Sequence, residues 1–213
     1  MRPSQASVAL MLLVISMPAL LSGGGQGAIA DAPAVDDDEY AVLAAAVTQT
    51  QLSSAPRWFL LVDRTTTLEC PTVRDRTRLG PCDGMRKPED TTETVFERLR
   101  AALPEFPRST WVDLVRKSVR PSTLMRTLPV ETRHILWNAG PTPPEELKTL
   151  GPPAFALYLS RVGFDEQRNN AVVYLGVLHW TEASRTAGDY VYLVKRSTGW
   201  SVAGRSRVWQ LIP

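Results

Sequence analysis

Two cysteines and two histidines are all that this chain of 213 residues offers to thiolate or imidazole chemistry. A zinc site takes four such ligands, and Cys70, Cys82, His134 and His179 are too scattered to read as one, so no metal is expected. There is no G-x-S-x-G elbow, P-loop, dinucleotide-binding glycine pattern, H-E-x-x-H helix or catalytic Cys–His signature. No cofactor is expected either. An excess of one charge is also missing. Lys and Arg number 24 against 22 Asp and Glu, a formal net charge of +2. A nucleic-acid or membrane-surface partner needs a concentrated basic face, and this balance gives no reason to expect one. What is present, 44% hydrophobic and 22% charged residues, suits a soluble globular protein.

Residues 1–30 have the layout of a secretory signal peptide. Arg2 is the only charge before Asp31, an apolar run spans Val8 to Leu21, and Ala28-Ile29-Ala30 offers an A-x-A cleavage pattern. The run is shorter than the roughly 20 residues of a membrane span. The reading is therefore export with cleavage, to the periplasm or the medium, with no membrane span afterwards; an uncleaved N-terminal anchor is the alternative. In an oxidising compartment Cys70 and Cys82 are expected to form a disulfide around a polar loop, against the alternatives of two free thiols or a metal site.

Residues 31–213 read as a single α+β domain in which helices pack on a C-terminal antiparallel β-meander, 154–212. Asp36–Glu39 mark a helix start ahead of an alanine-rich stripe. Phe59–Val62 read as a strand buried on both faces and joined to the same sheet. Asp90 and Glu93 have capping-box spacing, and Val95, Phe96, Leu99 and Leu103 recur at helical spacing up to Pro104. STWVDLVRKSV reads as helix or part strand, VETRHILWNAG as either, and PTPPEELKTLGPP as one or two helical turns. After Pro153 the period becomes two. AFALYLSRVGF is one strand, and DEQRNN is a turn in which Asn169 and Asn170 suit unusual backbone angles. AVVYLGVLHW is a second strand, apolar on both faces and hence central. YVYLVKR and WSVAGRSRVWQLI follow, the last bent or bulged at Gly204. A cystatin-like or NTF2-like curved sheet wrapped round a helix fits this order by analogy.

The C-terminal part resembles a group of small, uncharacterised exported bacterial proteins. The residues that carry the likeness are Ser160, Arg161, Val162, Gly163 and Phe164; Ala171, Val173 and Tyr174; Gly188 and Tyr190; Leu193 and Lys195; Trp200; and Trp209. The resemblance implies export and an α+β fold, and no reaction.

Candidate site residues are few. Arg161, within a strand, has the chemistry to hold an anionic group, or else to pair with Asp165, Asp189 or Glu182. His179 as a general base would need a partner, and Glu182 is the nearest in sequence. Arg161, His179 and Glu182 therefore make up a weak catalytic set near the 181–189 loop. Trp180, Tyr190 and Tyr192, with Arg161, make up a weak ligand-binding set in which aromatics would stack on a sugar or apolar ligand, or else simply pack the core. His134 reads as structural. The pairs Asp165–Glu166 and Glu145–Glu146 read as solvated, without the spacing of glycoside hydrolysis. The function expected is that of a non-enzymatic binding or interaction module of the envelope or medium, with a hydrolase of unfamiliar type as the alternative. The partner would be an envelope protein or a small ligand.

Overall fold

The computed structural model describes residues 33–50, 58–65, 92–138, 155–179 and 187–210. Cys70, Cys82, Asp90, Glu145, Glu146, Trp180, Glu182 and the signal segment fall outside them, and so do the expectations that rest on those residues.

Among the described residues, three helices and seven strands follow in the order α1 (Asp37–Thr50), β1 (Phe59–Val62), α2 (Thr92–Ala102), α3 (Arg108–Lys117), β2 (His134–Trp137), β3 (Phe155–Leu159), β4 (Gly163–Phe164), β5 (Asn170–His179), β6 (Ala187–Arg196) and β7 (Gly199–Gln210). All strands share one sheet in the order β2-β1-β3-β5-β6-β7, with β4 also paired to β5. The protein is α+β with a C-terminal meander. The sheet is mixed, however: β1 runs parallel to both β2 and β3, and only the strands from β3 onward pair antiparallel. The ambiguous segment at 134–137 is a strand because β1, with four apolar residues in a row, takes a neighbour on each side.

Alternation along β5 splits the core in two. Val173, Leu175 and Val177 face α1, packing with Tyr40, Leu43, Ala46 and Val47 and with Leu124 and Leu128 of the segment after α3. Val172 and Tyr174 face the opposite way, against Val95, Phe96 and Leu99 of α2 and Trp111 and Leu114 of α3. A third cluster lies at the β1–β3 end: Trp58, Leu60, Val62, Ala156 and Tyr158. Helices thus cover both faces. The sheet lies between helices because β5 carries apolar surface on each face.

AFALYLSRVGF is not one strand. The chain leaves the ladder between Leu159 and Gly163 and resumes as β4. The turn also differs from expectation. Arg168, not an asparagine, takes the left-handed backbone, at φ 53°. The β6–β7 ladder has irregularities at Gly188/Asp189 and at Tyr192/Leu193, the second beside Gly204 as the sequence suggested. Among the described residues no helix is long and apolar enough to cross a membrane.

Candidate functional site

The polar residues of the segment 160–170 converge on one network that ties the sheet to α1 and α3. It starts where β3 ends. Ser160 N–H donates to the Tyr174 carbonyl at 3.0 Å, and Tyr174 N–H donates back to Ser160 Oγ at 2.9 Å. The hydroxyl therefore accepts where a ladder carbonyl would, while its own proton goes to the Arg161 carbonyl at 2.7 Å. A buried main-chain N–H would otherwise be left unpaired, at a cost of about 1–3 kcal/mol.

This turn-out delivers Arg161 to the interior, where it is 4% exposed. All five of its N–H groups are used. Nε and one Nη reach the two carboxylate oxygens of Glu39 at 3.1 and 2.7 Å. The others reach the carbonyls of Pro33 (2.6 Å) and Ala34 (3.4 Å) and Ser122 Oγ (2.7 Å). Glu39 is fully buried and also accepts from Val162 N–H (3.3 Å) and Asp36 N–H (3.2 Å), with Lys117 Nζ at 3.6 Å. A buried guanidinium–carboxylate fork is tolerated only with this degree of satisfaction.

Glu39 belongs to a capping box that the acidic run concealed. Its N–H donates to Asp36 Oδ1 at 2.8 Å, while its own carboxylate accepts from Asp36 N–H. Asp36 in turn takes Arg168 at 3.0 and 2.9 Å, and Asp38 lies 3.2 Å from the same guanidinium, which rests 4.2 Å from the Phe164 ring centroid. Burial raises the Asp36 carboxyl, but Glu39 N–H and Arg168 outweigh it and the net direction is downward. The left-handed backbone at Arg168 is held by these contacts and by Asp165, whose carboxylate accepts from the N–H groups of Asn169 (2.8 Å) and Asn170 (3.0 Å) and the Asn170 amide (2.6 Å). These bonds override burial and hold Asp165 below its usual value. On the α3 side, Asp113 accepts from Phe164 N–H at 2.9 Å and pairs with Arg116 (2.5 Å) and Lys117 (3.0 Å). Burial again works upward, and Arg116, Phe164 N–H and Lys117 pull the Asp113 pKa down.

Among the described residues, the sequence-derived candidates Arg161 and His179 do not come together. Arg161 is engaged by Glu39 rather than by Asp165 or Asp189. Asp165 caps the turn instead, and Asp189, nearly fully buried, pairs with Arg207 at 2.5 Å and with Arg205 at 3.5 Å. His179 pairs with Phe155 at the far end of β5, its ring 5.4 Å from the phenyl ring. Tyr174, opposite Ser160, lies five positions before His179, so Ser160, the residue before Arg161, stands roughly 17 Å from His179 along the strand, and Arg161 lies one residue further off. Tyr190 and Tyr192 are 2% and 4% exposed under α2 and α3, edge-on to Trp111 (5.4 Å) and Phe106 (5.5 Å). They are core, not an open platform. Tyr192 Oη donates to Asn170 Oδ1 at 2.6 Å, and burial pushes its phenol up. His134 is structural: Nδ1 lies 3.0 Å from the Thr132 carbonyl, Nε2 accepts from Leu128 N–H at 2.9 Å, and the ring stacks on Phe59.

A nucleophilic serine must hand its proton to a base. Ser160 and Ser122 hand theirs to main-chain carbonyls, Arg161 and Pro33 respectively, so neither is set up for attack. Among the described residues no group of three or more His, Cys, Asp or Glu is placed to hold a metal ion. Sequence reasoning missed Glu39 as the centre of the network. The usable signal was its spacing of three from Asp36. No known protein family, curated protein or solved structure matches the chain.

Proposed function

We propose that the protein is exported, loses residues 1–30 on the way, and works as a non-catalytic binding or interaction module in the envelope or the medium. The leader-like start of the chain and the resemblance of its C-terminal part to small exported proteins support export. The non-catalytic part rests on one observation: the most reactive-looking arginine has all five N–H groups tied up inside the fold. The alternative hydrolase built on Arg161, His179 and Glu182 loses support from the distance between the first two.

The test uses the chain from Asp31 on, melted against cell-wall fragments, fatty acids, sugars, divalent metals and nucleotides, with hydrolysis of each compound followed in parallel. A ligand at about 100 times its Kd stabilises by about 2.7 kcal/mol, a shift of a few degrees. The expected result is such a shift without product. Turnover that scales with protein and disappears in His179→Ala would establish the hydrolase instead. Mass spectrometry of the exported protein should find Asp31 at its N-terminus.

A further inference from the structure

The sheet ends at β7. Its inner side pairs with β6, and among the described residues no strand pairs with its outer side. The start of that outer side is filled by a side chain. Gln49, near the end of α1, donates from Nε2 to the Trp200 carbonyl at 3.0 Å and accepts from Val202 N–H at 2.8 Å through Oε1. These are the two bonds that one residue of a parallel neighbour makes with a strand edge. The edge of β7 thus takes a peptide-like group where one reaches it. Beyond Gln49 it runs on from Ala203 to Gln210, roughly 25 Å.

Charge on this stretch is ordered. Arg205 stands opposite Val191 and Arg207 opposite Asp189, so both side chains lie on the α1 side of the sheet, where Val191 packs. The buried Asp189 carboxylate has Arg207 Nε at 2.5 Å and Arg205 Nε at 3.5 Å, and Arg205 Nη1 donates to the Thr50 carbonyl at 3.2 Å. Two guanidiniums are oriented by one carboxylate, which leaves a positive charge in excess. Their side chains remain 36% and 41% exposed. The other face of the same stretch is small or apolar: Gly204, Ser206 and Val208, with Leu103 beside Gly204.

A second copy fits this edge badly. Two β7 strands paired antiparallel about Ser206 would set Arg205 of each opposite Arg207 of the other, and like charges directly opposite destabilise a ladder. The same charges favour a strand of opposite sign. We propose that the Ala203–Gln210 edge of β7 docks an extended acidic segment of another protein, which adds as a further strand with its carboxylates toward Arg205 and Arg207 and its apolar side chains toward Val208 and Leu103. The proposal rests on the non-catalytic binding reading and gives it a partner class.

The experiment uses the full chain and a fluorescent peptide of about eight residues in which Glu alternates with Val, read by anisotropy. Binding should saturate and weaken as salt rises from about 50 to 500 mM. A version with Lys for Glu should not bind. Two further versions carry N-methyl groups on alternate residues, one set for each edge of the peptide. A methyl group facing β7 blocks the ladder, so one version should lose binding and the other keep it. Arg205→Ala should weaken binding about fivefold and Arg205→Lys by less, while Arg207 keeps Asp189 paired in both. Equal binding of the two methylated peptides would mean ionic adsorption and would overturn the docking edge, as would equal binding of the Lys version. Dimerisation that excludes the peptide would give the edge to a second copy and overturn the acidic occupant. No peptide binding, with a ligand shift still found in the melting panel, would overturn the edge and leave the binding reading standing. Cleavage of the peptide, seen as new termini by mass spectrometry, would overturn both.

Discussion

At the scale of single residues, the fold depends on a few buried polar groups whose needs are met only by one another. Arg161 and Glu39 come from positions 122 residues apart and exchange two charge-assisted bonds. Removing one of them leaves the other as an unpaired buried charge, which costs about 3–5 kcal/mol. Arg161→Met and Glu39→Leu should each destabilise by that order in urea unfolding. The double variant should lose less than the sum of the two, by at least about 1 kcal/mol, because the second change removes the orphan made by the first. Strict additivity would show that the pair is not coupled. The reason Arg161 looked like a ligand contact is plain. An arginine among apolar strand neighbours needs an anion, and its sequence neighbours Asp165 and Glu182 were the visible ones. The real anion is far away in sequence, in a helix cap. The left-handed turn position was misread for a similar reason. Local preference favours Asn, whereas Arg168 is held there by its bonds to Asp36 and Asp38 and its place over Phe164.

At the scale of elements, close approach decides how α2 and α3 sit. A Cβ on Gly163 would strike the Thr110 carbonyl and come within 2.5 Å of Leu114 N, both main chain of α3. Main chain cannot swing aside, so Gly163→Ala must push the helix off β4, breaking the Phe164–Asp113 bond. Gly204 meets only Leu103 Cδ2, the far end of a side chain that can rotate. Overpacking costs about 1–3 kcal/mol, and Gly163→Ala should fall at or above the top of that range with Gly204→Ala below it. Chemical denaturation of the two variants checks the order, and a larger loss at Gly204 would contradict the rigid-helix argument. The elements themselves were largely legible. Phe59–Val62, α2 and the strands after Pro153 follow from apolar runs and periods that local sequence carries. The parallel pairing of β1 with β2 and β3 was not, because it depends on which distant strand offers a free edge, and HILW alone is too short to tell strand from helix. The break between β3 and β4 was hidden because Ser160 disguises it, continuing the ladder with a hydroxyl.

At the scale of the whole molecule, the ionic network sets how stability responds to acid. Asp36, Asp113 and Asp165 each lie below the ordinary 3.8. In all three, burial works upward and is outweighed by N–H donors, with Arg168 added at Asp36 and with Arg116 and Lys117 at Asp113. A carboxyl with a depressed folded pKa contributes stability above its unfolded pKa and loses it as pH falls through the folded value. Asp63 has the opposite sign. Burial raises it against the pull of Arg64, so its contribution grows as pH falls. Three groups against one predict a plateau from about pH 5 to 8 and a fall below about pH 4. At the alkaline end, the raised phenol of Tyr192 contributes below its usual 10.0, and that contribution is lost as pH rises through the raised value. Urea midpoints across this range test the shape. Arg168→Gln tests its origin: it removes the cation facing Asp36 and Asp38 while α3 keeps Asp113, Arg116 and Lys117 in place. The variant should lose stability at neutral pH and show a shallower acid limb than the parent. A parallel limb would mean that Asp36 draws its low pKa from Glu39 N–H in the helix cap and from the Lys117 charge, and that the hairpin contributes position rather than charge.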